Sequence, residues 1–181
     1  LALSIINDQG VMQDATSIQM AGALDDLFSY DGALGGIVTS ESVSAKVWAP
    51  TAKNVELLIF ADSKDQEPSQ VIAMAYEPTT GVWGVEGSVD LDRQFYQYRV
   101  TVYTPITRQV VVNEVTDPNA LSLSTNSRLS QFVNLADADL KPYAWDYSAK
   151  PTLRAPEDIT IYELHVRDFS IQDETVAEQD R

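Results

Sequence analysis

The chain is predicted to be all-β, with an antiparallel sandwich as its main body. Three observations predict this. From Val43 to about Val115, apolar and polar residues alternate in short runs, which is the period of half-buried strands. Turn-forming stretches at Pro50, residues 63–68, residues 78–81 and Pro105 separate those runs. The 181 residues are 44% hydrophobic and 22% charged, a balance that supports a packed core rather than disorder.

The elements follow in order. Residues 1–16 show no clear pattern. A helix is predicted from Ser17, its candidate N-cap, to Phe28, because Ile18, Ala21, Leu24 and Phe28 recur at spacings of three and four. Asp31-Gly32 and Gly35-Gly36 read as turns that end it. Val43, Ala45 and Val47 then share one strand face, and Val55, Leu57 and Ile59 share another. Residues 70–76 and 82–86 are shorter candidate strands. The clearest strand covers residues 95–103: Tyr96, Tyr98, Val100 and Val102 form its apolar face, and Phe95, Gln97, Arg99, Thr101 and Tyr103 the opposite one. Residues 108–115 are placed to pair with it. Thr116-Asp117-Pro118-Asn119 is a turn signal, and an irregular, proline-spaced connector follows. The apolar run of residues 159–169 suits a strand buried on both faces, as in a parallel sheet.

Composition narrows the partners. The net charge is −15, spread along the chain, which disfavours nucleic-acid phosphates and anionic lipid. A neutral polyhydroxylated ligand carries no such penalty. With no cysteine, disulfides, thiolate catalysis and cysteine-ligated zinc are excluded. No stretch reaches the roughly 18 apolar residues of a membrane span. Leu1-Ala2-Leu3 shows neither an initiator methionine nor a basic leader, so an internal fragment without a signal peptide is expected.

Three stretches together carry a family resemblance. The first is Asp31-Gly32-Ala33-Leu34-Gly35, then Ala45-Lys46-Val47-Trp48-Ala49-Pro50-Thr51-Ala52. The second is Gly81-Val82-Trp83, then Phe95-Tyr96-Gln97-Tyr98-Arg99-Val100, then Val115-Thr116-Asp117-Pro118. The third is Ile161-Tyr162-Glu163-Leu164-His165-Val166-Arg167-Asp168-Phe169-Ser170. The ordered set resembles starch-debranching enzymes of the pullulanase type, in the α-amylase superfamily (glycoside hydrolase family 13). The first two stretches look like a family-48 carbohydrate-binding module, the isoamylase N-terminal domain, and the third looks like the first strand of the catalytic barrel. Residues 121–127 are similar to pullulanases in particular.

The resemblance implies an immunoglobulin-like antiparallel sandwich, with a short N-terminal helix and a C-terminal stub of a (β/α)8 barrel. The expected divisions are a linker and helix at 1–30, the sandwich at 31–118, a connector at 119–158 and a truncated barrel start at 159–181. It implies a parent hydrolase acting on α-1,6 branch linkages of pullulan, starch or glycogen. Such retaining hydrolases use two carboxylates about 5 Å apart. The family's pair lies on later barrel strands, so no residue here is expected to be catalytic and the chain is predicted inactive. The module is expected to brace the barrel by intramolecular packing, with α-glucan contact as a second role. Two alternatives stay open: a free-standing α-glucan-binding module, and a structural or adhesive sandwich without sugar binding. The family also implies an extracellular or cell-surface bacterial setting. No cofactor is expected, and calcium is left open for the parent enzyme.

Each candidate residue has a plainer reading beside the functional one. Glu163, His165, Arg167 and Asp168 look like an acid–base or metal cluster, yet the matching barrel strand uses its polar residues to order the scaffold. Trp48 and Trp145 are expected to fill the core or an interface. Trp83, between Gly81 and Gly84 near an edge, is the best of the three tryptophans as a sugar platform. Tyr96 and Tyr98 fit core packing. Arg99 matches a position where related modules carry a basic residue at the glucan site, and Tyr103 shares its face. The carbohydrate-binding candidates are therefore Trp83, Arg99 and Tyr103. The further exposed aromatics of related glycogen-binding modules have no match here. The pairs Asp25-Asp26, Asp62/Asp65 and Asp137/Asp139 do not follow the spacing of a calcium loop and are read as solvated surface, so no metal site is assigned.

Overall fold

Two antiparallel sheets carry the alternation seen in the sequence. In this computed structural model, which describes residues 2–17 and 22–180, the strands are β1 (Ala2–Ile6), β2 (Met12–Ser17), β3 (Gly35–Val38), β4 (Ser42–Trp48), β5 (Ala52–Phe60), β6 (Gln70–Ala73), β7 (Ala75–Glu77), β8 (Val82–Ser88), β9 (Phe95–Thr104), β10 (Gln109–Val115) and β11 (Ser130–Gln131). One sheet runs β3-β4-β8-β7, and the other runs β10-β9-β5-β6 with β11 added on β9. Every pairing is antiparallel, and the two form the predicted immunoglobulin-like sandwich. The expected single strand at 70–76 is two, because it changes sheets at Met74. β6 pairs with β5, β7 pairs with β8, and the buried Met74 between them donates its N–H to Val55 O at 3.1 Å.

The core lies between the sheets. Val43, Ala45 and Val47 of β4, Val55, Leu57 and Ile59 of β5, Trp83 of β8, and Tyr96 and Tyr98 of β9 meet there with Leu91 and Phe132. These are the faces that the period of two selects. β5 departs from it at its end, where Leu58 and Phe60 are buried as well. They pack with Leu129 and Phe95 in a second cluster on the other face of the sheet. The cover is the segment after Asp117, which the sequence reading placed in an irregular connector. Here Leu129, Ser130, Phe132 and Val133 are built into the sandwich. Arg128 fastens it: its Nη2 donates to Ser63 O and Asp65 O, both at 2.6 Å.

A buried polar knot sits at one end of the core. Asp117 Oδ2 accepts hydrogen bonds from Tyr96 at 2.6 Å and Tyr98 at 3.2 Å, and Asp117 Oδ1 accepts the Asn119 N–H at 2.8 Å. The Asp117 N–H donates to Ser130 Oγ at 3.0 Å. The Tyr96 ring stacks on Phe132 with centroids 4.1 Å apart. This explains the two glycines read as a turn. Gly35 and Gly36 open β3 instead, because a Cβ on Gly36 would lie 2.8 Å from the Tyr96 hydroxyl and one on Gly35 2.8 Å from Asn119 O. Gly35 also has φ of 90°, which a side chain disfavours.

The remaining elements differ from expectation in instructive ways. Residues 2–17, without pattern in the sequence, form the β1–β2 hairpin. Asn7 Oδ1 accepts from the N–H groups of Gln9 and Val11, and Gly10 takes φ of 76° to close the turn. The helix expected over 17–28 shrinks to α1 (Ala23–Leu27), since Ser17 already belongs to β2. Ile18 and Ala21, which helped to predict it, lie outside the described residues.

Contacts divide the chain into two units, residues 1–141 and 142–181. In the second, the strand expected at 159–169 is not formed. Residues 159–165 have no strand partner, and Val166–Ser170 form the short helix α2. A strand needs a neighbour to bond its backbone, and the second unit offers none among the described residues. Ile161 is 86% exposed as a result. No helix is long and apolar enough to cross a membrane.

Two outcomes test this account. Asp117→Ala removes the acceptor shared by two buried hydroxyls, so stability should fall by about 2–4 kcal/mol, seen as a lower urea midpoint with an unchanged slope. The second concerns pH. Burial, and then the Asp117 charge, push the Tyr96 and Tyr98 phenols far above their ordinary value of 10.0. A raised folded-state value favours the neutral form, so this stabilisation is complete below the unfolded value and is lost as pH rises beyond it. The urea midpoint should decline above pH 10.0, and less steeply in Tyr98→Phe. A flat alkaline profile contradicts the burial of these phenols.

Candidate functional site

The outer face of the β10-β9-β5 sheet carries the exposed half of the β9 alternation. Because Tyr96 and Tyr98 face the core, Arg99, Thr101 and Tyr103 project away from it. Register sets their neighbours. Arg99 lies between Glu56 on β5 and Glu114 on β10, and Tyr103 lies opposite Val110. Arg99 donates Nε and Nη2 to Glu114 Oε1 at 3.0 and 2.8 Å, and Nη1 comes within 3.8 Å of Glu56 Oε2. The guanidinium is thereby held between carboxylates of the two neighbouring strands. Tyr103 is 44% exposed, and Val110 and Val112 beside it are also exposed. Arg99 and Tyr103 are four residues apart, roughly 13 Å along a strand. The face thus offers a polar, hydrogen-bonding end and an aromatic–aliphatic end.

Trp83 is not on this face. It belongs to β8 in the other sheet, points into the core and is 7% exposed. Its indole N–H donates to Ala49 O at 3.1 Å, and its ring lies 4.9 Å from that of Tyr76. The structure brings Arg99 and Tyr103 together and leaves Trp83 apart, with no ring face turned to solvent. The period of two could not tell which face of β8 pointed inward, because Gly84 and Gly87 leave its pattern nearly blank.

The other candidates are placed as follows. Trp48 is half-buried, and its indole N–H donates to Phe28 O at 2.7 Å. Trp145 is exposed, with Lys150 Nζ 5.6 Å above its ring. Of the residues in the third motif, His165 Nδ1 lies 3.2 Å from Asp168 Oδ2 at the exposed start of α2. Glu163 is exposed, and the Arg167 side chain is outside the described residues. Asp62 and Asp65 bond the backbone of their own turn. Asp137 and Asp139 both receive Arg93 Nη2, at 2.7 and 3.0 Å, which ties that loop to the sandwich. Asp25 and Asp26 stand in the first turn of α1. Among the described residues no three such donors are grouped as a metal site.

Comparison with known proteins gives this geometry its context. Residues 33–120 match the model of carbohydrate-binding module 48 (isoamylase N-terminal domain). The whole chain aligns at 43% identity with pullulanase 1, chloroplastic, of Arabidopsis thaliana, covering 19% of that protein. It is 39% identical over 93% of its length to a Klebsiella pneumoniae pullulanase, of which it covers 16%. Among solved structures, ligand-free PulA from Klebsiella pneumoniae superposes on 98% of the chain with a TM-score of 0.79 at 39% identity, 17% of that chain being covered. Pullulanase from Bacillus acidopullulyticus superposes on 88% with a TM-score of 0.70 at 31% identity, with 19% of that chain covered. The chain thus spans about a fifth of the length of these relatives. Residues 33–120 thus form a carbohydrate-binding module 48 (isoamylase N-terminal domain), in a chain that is similar to pullulanases along its whole length.

Proposed function

We propose that this chain is a non-catalytic accessory portion of a pullulanase-type hydrolase that acts on α-1,6 branch linkages of pullulan, starch or glycogen. The observation that carries the reading is the match to pullulanases along the whole chain, with the module fold intact in its middle. In this reading the sandwich braces the catalytic part and its β10-β9-β5 face touches α-glucan. A maltotriose complex of Klebsiella pneumoniae PulA superposes on 98% of this chain with a TM-score of 0.79, which supports an α-glucan as the ligand class. Arg99 would donate to sugar hydroxyls, and Tyr103 would stack on the apolar face of a pyranose. The residues of unit 142–181 that stand exposed, including Ile161 and Trp145, are in this reading surface for the catalytic part. The bacterial relatives support an extracellular or cell-surface setting for the source protein.

Affinity electrophoresis in gels containing amylopectin or pullulan tests the glucan contact. The chain should be retarded, and Tyr103→Ala should weaken retention about tenfold, near 1.4 kcal/mol, without altering the urea midpoint. Equal mobility with and without polysaccharide would remove α-glucan binding from the proposal. A separate assay tests the accessory role: the purified chain should release no reducing sugar from pullulan, and any release abolished by no contaminant control would sink it.

A further inference from the structure

On the other sheet, a cavity of about 310 Å³ opens between α1 and β4, lined by Asp25, Phe28, Ser29, Tyr30, Leu34 and Trp48. Nothing in the sequence reading or in the β10-β9-β5 face accounts for it. Its size is at the lower end of small-ligand sites, and its lining has their usual composition, aromatic walls with a few polar groups.

The walls are held in place. Trp48 alternates out of the core on β4, and its indole N–H is fixed on Phe28 O at 2.7 Å. Phe28 is backed by Gly81, where an added Cβ would lie 3.1 Å from Phe28 Cβ and 2.6 Å from Pro50 Cβ. Tyr30 folds against Gly32, where an added Cβ would clash with the phenol oxygen, and that oxygen accepts from Lys46 Nζ at 3.4 Å. Three aromatic side chains are therefore positioned before any ligand arrives, which lowers the ordering cost of binding. At the mouth Asp25 makes no hydrogen bond or ion pair among the described residues, and Ser29 adds an exposed hydroxyl.

We propose that this cavity is a second sugar site, taking one pyranose ring of a neutral α-glucan. The proposal rests on the reading that the module contacts α-glucan. The rings supply flat apolar surface for the C–H face of the sugar, and the Asp25 carboxylate accepts from two of its hydroxyls. Anionic ligands are opposed by Asp25 and by the net charge of −15. A quaternary ammonium would suit aromatic walls beside a carboxylate, but the Lys46 ammonium on Tyr30 opposes it.

The test follows the Trp48 indole N–H by NMR while maltotriose is added to the whole chain and to its Arg99→Gln/Tyr103→Ala variant. The resonance should shift in both, with similar affinity. Asp25→Ala should weaken this response at least fivefold and leave the urea midpoint unchanged, since Asp25 is exposed and makes no pairing among the described residues. Tyr30→Ser should weaken it too. If the Trp48 response disappears with the Arg99/Tyr103 variant, the cavity is not an independent site, although the glucan reading stands. If Trp48 responds while Tyr103→Ala leaves gel retention intact, the cavity proposal stands and the β10-β9-β5 face is excluded. A response to tetramethylammonium but not to maltotriose overturns the proposal, as does no response to either.

Discussion

The shared acceptor at Asp117 organises the end of the sandwich. A carboxylate removed from water needs its lone pairs filled, and four groups from three parts of the chain do this or bond beside it. Tyr96 and Tyr98 come from β9, Ser130 from β11, and Asn119 from the turn itself. Each constrains a different segment. The tyrosine hydroxyls fix which face of β9 turns inward, Ser130 brings β11 against β9, and the Asn119 bond shapes the turn that Gly35 must approach. Removing the Asp117 carboxylate would leave two buried hydroxyls without their shared acceptor, so the segments that meet there hold their places together.

From that end the chain doubles back to cover the sheet. β5 is apolar on both faces over Leu57, Leu58, Ile59 and Phe60, which makes a second layer necessary. Leu129 supplies it, and Arg128 above Phe60 pins the cover to the 63–65 turn. The same arrangement leaves the Arg99–Tyr103 part of the face open. Toward β11 the outer surface is roofed, while toward the β9–β10 hairpin it meets solvent. The chain thus separates a covered half of one face from a half that is open to solvent.

Much of this was legible as period two. Tyr96 and Tyr98 against Arg99 and Tyr103 read correctly because β9 has one wet face and one dry face. β5 was less transparent, since burial on both sides erases alternation, and the residues that cover it lie about 70 positions later in sequence. Gly35 and Gly36 read as a turn because glycine signals backbone freedom, yet here Gly36 is required by the room that Tyr96 and Phe132 occupy. Of the site candidates, Arg99 rests on the family resemblance and Tyr103 on sharing its face; strand alternation accounts only for their outward placement. Trp83 had no such guide, because between glycines no neighbour tells which side is inside. The cavity by Trp48 had no signal at all. Its walls come from the end of α1, the segment that follows it and an outward strand position, and only folding places Phe28, Tyr30 and Trp48 around one cavity.

The crossing at Met74 has a consequence for how the sandwich keeps its alignment. One continuous stretch of chain serves as an edge of both sheets, four residues in β6 and three in β7. A slip of one residue along β5 would therefore drag the β7–β8 pairing out of step as well, and would turn Met74 out of the interior. Errors in one layer cannot be absorbed locally, because the other layer is strung on the same thread. The two sheets behave as a pair of gears on one shaft: the phase of each is set by the other, and the interior stays meshed without a disulfide between the layers.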